Sequence, residues 1–365
     1  MSESERPFAL LAGGGTGGHT YPAIAVGQEL AARGHDVRFV GSRRGIEGRV
    51  VTEAGFAIDL LPGRGLRRRL SPPNLVHNAG ALWDAVVAVA QSIGLVRRYR
   101  PRIVVGFGGY ASLPAVIAAR LLRIPVVVHE QDAAPGLANR IGVRLGARAA
   151  TSLPNTPLPG ATLTGNPVRE AFVHLEREPA RDPVLLAVFG GAQGARTINR
   201  AAIGCYDRWR ARRDLSVYHV CGPRNLDECV TELEHVRRDD DALVYEVFGY
   251  EERMDQLFAR ATLAVCRAGA GTVAELTAAG LAAVLVPLPG APSDHQTRNA
   301  QTLEAADAAV MIADSECDSV RLDDTVSELL RDAGRLDAMA KAARSLGRPD
   351  AAARVADVIE EHARG

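Results

Sequence analysis

Short apolar runs alternate along the chain with stretches of helical period, and glycine or proline punctuates the joins. Residues 8–12 form an apolar run ending in glycines, residues 23–32 carry apolar positions at helical spacing up to Gly34, and residues 37–40 are apolar again. That order predicts strand, helix, strand. The rhythm continues through a strand at 103–105, a helix at 113–122, a strand at 126–129 and a helix at 136–145. Strands alternating with helices in this way predict a parallel sheet with helical crossovers.

A Pro-rich stretch at 153–160 breaks the pattern, and after Thr164-Gly165-Asn166-Pro167 the segment 170–183 is polar without a core pattern. A domain boundary is expected there, between residues 1–167 and 168–347. Beyond it strands are expected at 184–189, 217–220, 243–247, 263–266 and 283–286, each followed by a turn and a helix-like segment. From Leu322 onward the chain is rich in Ala, Arg and Asp at helical spacing, and its last helix, residues 348–365, is expected to rejoin the first domain. The fold class is therefore α/β, with two doubly wound Rossmann-like parallel-sheet domains.

A length of 365 residues suits two domains, each with its own core. Apolar residues at 47% and charged residues at 24% exclude a disordered or fibrous chain. Forty-three Lys plus Arg balance 43 Asp plus Glu, so no global positive field exists and a nucleic-acid partner is not expected. The 5 cysteines are odd in number and show no C-x-x-C spacing, which disfavours zinc and a disulfide framework and favours a reducing cytoplasm. Residues 1–7 carry acids, and the apolar run at 8–12 is too short for a signal peptide. The best candidate for a membrane span, residues 79–96, contains Asp84 and Gln91, so no crossing is expected.

Glycine changes the picture most. Three clusters each follow a predicted strand and open a helix: Gly13-Gly14-Gly15-Thr16-Gly17-Gly18-His19, Gly190-Gly191-Ala192-Gln193-Gly194-Ala195-Arg196 and Ala268-Gly269-Ala270-Gly271-Thr272. Gly106-Phe107-Gly108-Gly109-Tyr110 sits at a fourth strand end. At such ends backbone N–H groups and helix N-termini approach a phosphate without a Cβ in the way. Clusters in both halves imply a phosphate-bearing ligand in a cleft between the domains. Gly13, Gly15 and Gly18 satisfy G-x-G-x-x-G, but Gly41-Ser42-Arg43-Arg44 replaces the ribose-binding acid, which would suit only a 2′-phosphate such as that of NADP. No G-K-[ST] follows any cluster, and Asp239-Asp240-Asp241 reads as a solvated turn, so no metal site is expected.

Taken in order, Gly14-Gly15-Thr16-Gly17-Gly18-His19, Gly106-Phe107-Gly108-Gly109-Tyr110, His129-Glu130-Gln131, Gly165-Asn166-Pro167-Val168-Arg169, Gly190-Gly191-x-Gln193-Gly194-Ala195 and Gly271-Thr272-Val273-Ala274-Glu275 resemble the MurG family. The resemblance runs from about Leu10 to Ala300. It implies a GT-B glycosyltransferase whose two domains face each other across a cleft. The reaction it implies moves GlcNAc from UDP-GlcNAc to the 4-hydroxyl of the muramoyl sugar of lipid I, with inversion, at the cytoplasmic face of the cell membrane. No cofactor is implied, and departure of UDP without a metal is expected, because Arg169 and loop N–H groups would stabilise its charge.

Carried over by position, Glu275 would accept from the ribose hydroxyls, Arg169 would neutralise the diphosphate and the Phe248 backbone would meet uracil. Ala270, Gly271, Thr272 and Val273 would lie beneath the nucleotide, with Ala192 and Gln193 on the neighbouring loop. His295 and Gln296 would contact the sugar. On the acceptor side, Thr16, Gly17 and Gly18 form the first loop and His19 is the candidate base, with Glu130 and Asp132 as rivals. Thr16, Gly17, Gly18 and Asp132 also count among the donor contacts. Ala192 and Ala268 replace serines and Asp132 replaces asparagine of the family pattern, so phosphate contacts there fall to backbone N–H groups.

The implied acceptor is lipid-linked. Arg64-Gly65-Leu66-Arg67-Arg68-Arg69-Leu70, followed by an apolar stretch at 75–96 with Trp83, combines a basic patch with an aromatic helix and suits peripheral contact with a membrane surface. A core helix behind a solvated basic turn suits the same residues. The competing readings of the whole chain are a GT-B enzyme with another nucleotide sugar or acceptor, an NADP-dependent oxidoreductase, and a scaffold that binds sugar nucleotide without turnover.

Overall fold

A computed structural model describes residues 6–15, 17–63, 72–178 and 182–364, with side chains from residue 78 onward in the helix beginning at 72. The chain divides into two compact units, Met1–Arg169 with Asp350–Gly365, and Glu170–Pro349. The first unit runs β1 (Ala9–Ala12), α1 (Gly17–Ala32), β2 (Val37–Ser42), α2 (Glu47–Glu53), β3 (Ile58–Leu61), α3 (Pro72–Tyr99), β4 (Ile103–Gly106), α4 (Ser112–Leu121), β5 (Val126–Glu130), α5 (Leu137–Arg144), β6 (Arg148–Thr151) and β7 (Thr162–Leu163). Its strands pair in parallel in the order β3-β2-β1-β4-β5-β6-β7.

The central strands are apolar throughout because helices cover both faces of the sheet. Leu11, Val105 and Val127 enter one hydrophobic cluster, while Leu10, Val104 and Val128 enter the other. Alternate residues thus serve opposite layers, as the two-residue period of a strand requires.

The second unit runs α6 (Glu170–Val173), β8 (Val184–Phe189), α7 (Arg196–Gly204), α8 (Tyr206–Trp209), β9 (Leu215–Val220), α9 (Leu226–Val236), β10 (Val244–Phe248), α10 (Met254–Arg260), β11 (Leu263–Cys266), α11 (Ala270–Ala279), β12 (Ala283–Leu285), α12 (His295–Glu304), β13 (Ala309–Met311), α13 (Ser319–Arg331) and α14 (Ala333–Leu346). Its parallel order is β10-β9-β8-β11-β12-β13. All five cysteines are buried here as free thiols. Phe172 in α6 is buried and meets Phe258 edge-on at 5.3 Å, so the start of the polar stretch carries a core residue after all.

The last helix, α15 (Ala351–Arg364), returns to the first unit. Its Val355, Ala356, Val358 and Ile359 join Ala23, Ile24, Val26 and Leu30 of α1 in one cluster. Burial of each larger aliphatic stabilises by about 1.5–3 kcal/mol. Arg33 Nη1 to Asp357 at 2.7 Å and His35 Nε2 to Glu360 at 2.9 Å fasten the rim of that contact.

Helix α3 differs from its expected character. By length and composition Asn78–Tyr99 is apolar enough to cross a membrane, with mean hydropathy 1.6, which corrects the view that Asp84 and Gln91 exclude it. Only 22% of its most apolar window is buried. Ala81, Ala88 and Val96 pack inward, while Leu82, Trp83 and Val86 are 66%, 69% and 58% exposed. Arg67, Arg68 and Arg69 lie outside the described residues.

Candidate functional site

Each sheet reverses its winding once, between β1 and β4 in the first unit and between β8 and β11 in the second. At such a switch point the loops leaving the carboxyl ends of the strands diverge, and an open α/β sheet binds its ligand there. All four glycine clusters leave these four strands.

In the first unit the loops after β1 and β4 touch. Gly109 has φ 75°, and a Cβ there would collide with the Gly14 carbonyl oxygen, so only glycine allows the approach. Beneath them Gly15 N–H donates to the carboxylate of Glu47, which is buried at the start of α2. Thr16 lies outside the described residues; Gly17 and Gly18 open α1, and His19 is half-buried in its first turn.

His19 stands at the end of a hydrogen-bonded chain. Its Nδ1 is 3.2 Å from Gln131 Oε1; Gln131 Nε2 lies 3.0 Å from the Phe107 carbonyl oxygen and 3.1 Å from His129 Nδ1; His129 Nε2 lies 3.0 Å from the Gly165 carbonyl oxygen. Burial pushes the His129 pKa down to about 4. The chain therefore ties the loops after β1, β4 and β5 to the Gly165-Asn166-Pro167-Val168-Arg169 segment. Arg169 closes the first unit, half-buried.

Glu130 is buried, with both oxygens committed within its own loop and helix. Oε1 accepts from Asp132 N–H at 3.1 Å, and Oε2 accepts from Gly136 N–H at 2.8 Å and Asn139 Nδ2 at 2.9 Å. Burial outweighs these donors and raises its carboxyl to about 7. This geometry makes Glu130 the clamp of the turn into α5, while the neighbouring Asp132 is half-buried.

In the second unit Gly194 has φ 74°, and a Cβ there would collide with the Cys221 carbonyl oxygen. That carbonyl accepts from Asn199 Nδ2 at 2.9 Å and Asn225 Nδ2 at 2.8 Å, and Asn225 also reaches the Gln193 carbonyl at 3.3 Å. Ala192 and Gln193 are exposed at the loop tip. After β11, Arg267 is buried; its Nη1 donates to the Val286 and Pro287 carbonyls at 3.0 Å each and pairs with Asp314 at 2.5 Å.

Helix α11 then begins behind Gly269, which has no side chain to cap it. Its first-turn N–H groups and the helix dipole suit an anion. Ala270, Gly271 and Thr272 are half-buried in that turn, Val273 packs inward with its N–H donated to the Gly269 carbonyl, and Glu275 is half-buried one turn on. The Phe248 carbonyl accepts from Cys221 N–H at 2.9 Å, and its ring stacks on Tyr218 at 4.3 Å. His295 and Gln296 open α12, where Gln296 Oε1 accepts from Leu288 N–H at 2.9 Å. Asn299 Nδ2 donates to the Ala268 carbonyl at 3.1 Å and joins α12 to the loop before α11.

Sequence reading assigned no role to Glu47, Asn139, Asn199, Asn225, Arg267 or Asn299. A signal exists for the amides. Asn139, Asn199 and Asn299 each sit on the buried face of a helix otherwise lined by small or apolar residues. Among the described residues, no three His, Cys, Asp or Glu side chains converge as a metal site.

Residues 9–151 match the glycosyltransferase family 28 N-terminal domain, and residues 185–355 match the glycosyltransferase family 28 C-terminal domain. A protein of Alkalilimnicola ehrlichii named UDP-N-acetylglucosamine–N-acetylmuramyl-(pentapeptide) pyrophosphoryl-undecaprenol N-acetylglucosamine transferase is 41% identical, over 97% of this chain and 99% of that one. A Halothermothrix orenii protein of the same name is 36% identical over 98% and 99% of the two chains. The crystal structure of Acinetobacter baumannii MurG superposes with a TM-score of 0.79 at 29% identity, over 97% and 99%. CalG4, the calicheamicin glycosyltransferase, shares the GT-B fold with a TM-score of 0.71 at 18% identity, over 98% of each chain. With two Rossmann-like sheets, glycine loops at both switch points and relatives matched from end to end, the chain belongs to glycosyltransferase family 28 and, within it, to the MurG family.

Proposed function

We propose that the chain transfers N-acetylglucosamine from UDP-N-acetylglucosamine to the 4-hydroxyl of the muramoyl sugar of an undecaprenyl-pyrophosphoryl acceptor. The observation that carries this reading is the near-complete alignment with relatives bearing that activity in their names, at 36–41% identity. The glycine loops and the uncapped start of α11 are the chemistry such a donor needs, since both offer backbone N–H groups to a diphosphate.

In this reading the second unit holds the donor. Glu275 accepts from the ribose diol, the loop at Ala192 and Gln193 and the first turn of α11 face the diphosphate, and Arg169 adds a fixed cation. His295 and Gln296 meet the sugar. Phe248 meets uracil through its backbone. The acceptor oxygen attacks C1 of the hexose as the C1–O bond to phosphate breaks, so the configuration inverts; the hydroxyl proton passes to His19 and UDP leaves with the electron pair. Asp132 is the second candidate for that proton.

Charge on the departing UDP is met by Arg169 and backbone N–H groups, so transfer is expected to proceed without a divalent metal. The exposed Leu82, Trp83 and Val86 face of α3, which follows the basic residues Arg67, Arg68 and Arg69 in the sequence, is the proposed contact with the cytoplasmic face of the membrane, where the acceptor resides. The test is transfer of labelled N-acetylglucosamine from UDP-N-acetylglucosamine to a lipid I analogue, with and without EDTA. Labelled product with anomeric inversion is expected in both. No product, or product only from another nucleotide sugar, overturns the activity; loss in EDTA restored by magnesium overturns metal independence.

A further inference from the structure

The chain of hydrogen bonds ending on His19 permits only one polarity. The Gly165 carbonyl can only accept, so His129 Nε2, 3.0 Å away, carries a hydrogen. His129 is fully buried and held neutral by desolvation, so its Nδ1 is a lone pair. The Gln131 atom 3.1 Å from that lone pair must be the amide nitrogen, and the same nitrogen faces a second pure acceptor, the Phe107 carbonyl oxygen, at 3.0 Å. Both amide hydrogens are thereby used. Gln131 Oε1 is left facing His19 Nδ1 at 3.2 Å, and a protonless oxygen meets Nδ1 there only if that nitrogen bears hydrogen.

We propose that Gln131 is a positioning residue that locks His19 as its Nδ1–H tautomer, making Nε2 the nitrogen whose lone pair takes the acceptor proton. Which ring nitrogen of a histidine is basic is set by the hydrogen bond the other one makes. Free neutral histidine prefers the opposite tautomer, with hydrogen on Nε2, so the preference is supplied by the fold. The anchor is distant in sequence: polarity set at Gly165 reaches His19 through His129 and Gln131, and Phe107 enforces it independently. A neutral amide also suits a base that must be reset each turnover. It orients the ring without adding the negative charge that would hold the imidazolium.

The kinetic part of this inference rests on the proposed reaction, whereas the tautomer is a property of the chain alone. The experiment is long-range proton–nitrogen NMR of the full chain labelled with 15N-histidine, with His19 assigned by its loss in His19→Asn, beside steady-state kinetics. The wild type is expected to show protonated Nδ1 and bare Nε2 at His19. In Gln131→Met, which keeps the size and removes the acceptor, the Nε2–H form should dominate and kcat should fall by about 10²-fold, the low end of what a positioned base supplies, with KM for UDP-N-acetylglucosamine unchanged. Hydrogen on Nε2 of wild-type His19 overturns the proposal, as does a Gln131→Met chain that retains both the Nδ1–H form and full kcat. If Gln131→Met does not fold, the wild-type spectrum alone decides. A wild type that transfers no sugar yet shows Nδ1–H at His19 refutes the proposed reaction and supports the lock.

Discussion

The two sheets wind in the same order and place glycine loops at the same switch point, yet the side chains beneath those loops differ. Under the loops of the first unit lie His19, Gln131, His129, Glu130 and Glu47, four of them titratable, in continuous hydrogen-bonded contact with loop backbone. Under the loops of the second unit lie Asn199, Asn225 and Asn299, which hold loop carbonyls, an ion pair of Arg267 with Asp314, and the buried His219, whose Nε2 lies 3.1 Å from Asn199 Oδ1. Amides do not titrate. The loop carbonyls of the second unit are held by amides, and burial pushes His219 down to about 4, so this edge carries no histidine charge near neutral pH, whereas the first unit brings a half-buried imidazole, His19, up to its loop. Topology locates both edges; the residues under each loop decide what each can do.

The sharpest way to break this contrast is His19→Ala. With the proposed proton acceptor removed and the donor loops untouched, kcat is expected to fall by about 10² to 10⁴ while calorimetric affinity for UDP-N-acetylglucosamine holds. A lost affinity with preserved kcat would make His19 a binding group and erase the difference between the two edges. Glu275→Ala is the converse probe on the other sheet: removal of a charged acceptor from a diol costs about 1.5–3 kcal/mol, or about 10- to 100-fold in donor affinity, with little change in kcat at saturation. Equal affinities for wild type and variant would remove Glu275 from the donor site.

Glu130→Gln tests whether that carboxyl is clamp or base. Its amide would turn N–H groups toward donors from Asp132, Gly136 and Asn139, so a loss of about 1–3 kcal/mol in urea unfolding is expected, with kcat largely retained. A folded variant without activity would reinstate Glu130 as the base. The wild type should also show the signature of a raised carboxyl. Folding holds a proton up to about pH 7 that the unfolded chain releases near the ordinary glutamate value of 4.5, so this contribution to stability is present below 4.5 and is lost as pH rises through 7. That slope should flatten in the variant. The smallest effect belongs to Trp83→Ser on the exposed face of α3: binding to anionic vesicles should weaken about 5-fold, from about 1 kcal/mol of apolar transfer, with thermal stability unchanged. Unchanged vesicle binding would leave α3 a core helix and no more.

Strands at the middle of each sheet were legible because both their faces are covered; β1, β4, β8 and β11 each read as an apolar run, and β5 opens with three valines before His129 and Glu130. The strands that escaped notice, β3, β6, β7 and β13, lie at or near sheet edges and are short; β3, β6 and β7 include Asp59, Arg148 and Thr162, which interrupt the apolar pattern, and β13 is only three residues long. The same logic divides the site. Glycine loops announce themselves locally, since their constraint is a backbone angle or a close approach. Gln131 meets Phe107 and His19 from 24 and 112 residues away and Asn299 meets Ala268 from 31, and no periodicity marks such pairs.

Order of elements, the two glycine-lined edges and the family follow from the linear chain, because burial pattern and backbone permissiveness are properties of neighbouring residues. Which polar groups meet beneath those edges, that Glu130 turns inward while His19 ends a directed chain of donors, and that α15 seals the sheet the chain began with, were decided in three dimensions. Hydrogen-bond direction and desolvation depend on what is packed around a group, and folding brings those surroundings from across the length of the chain.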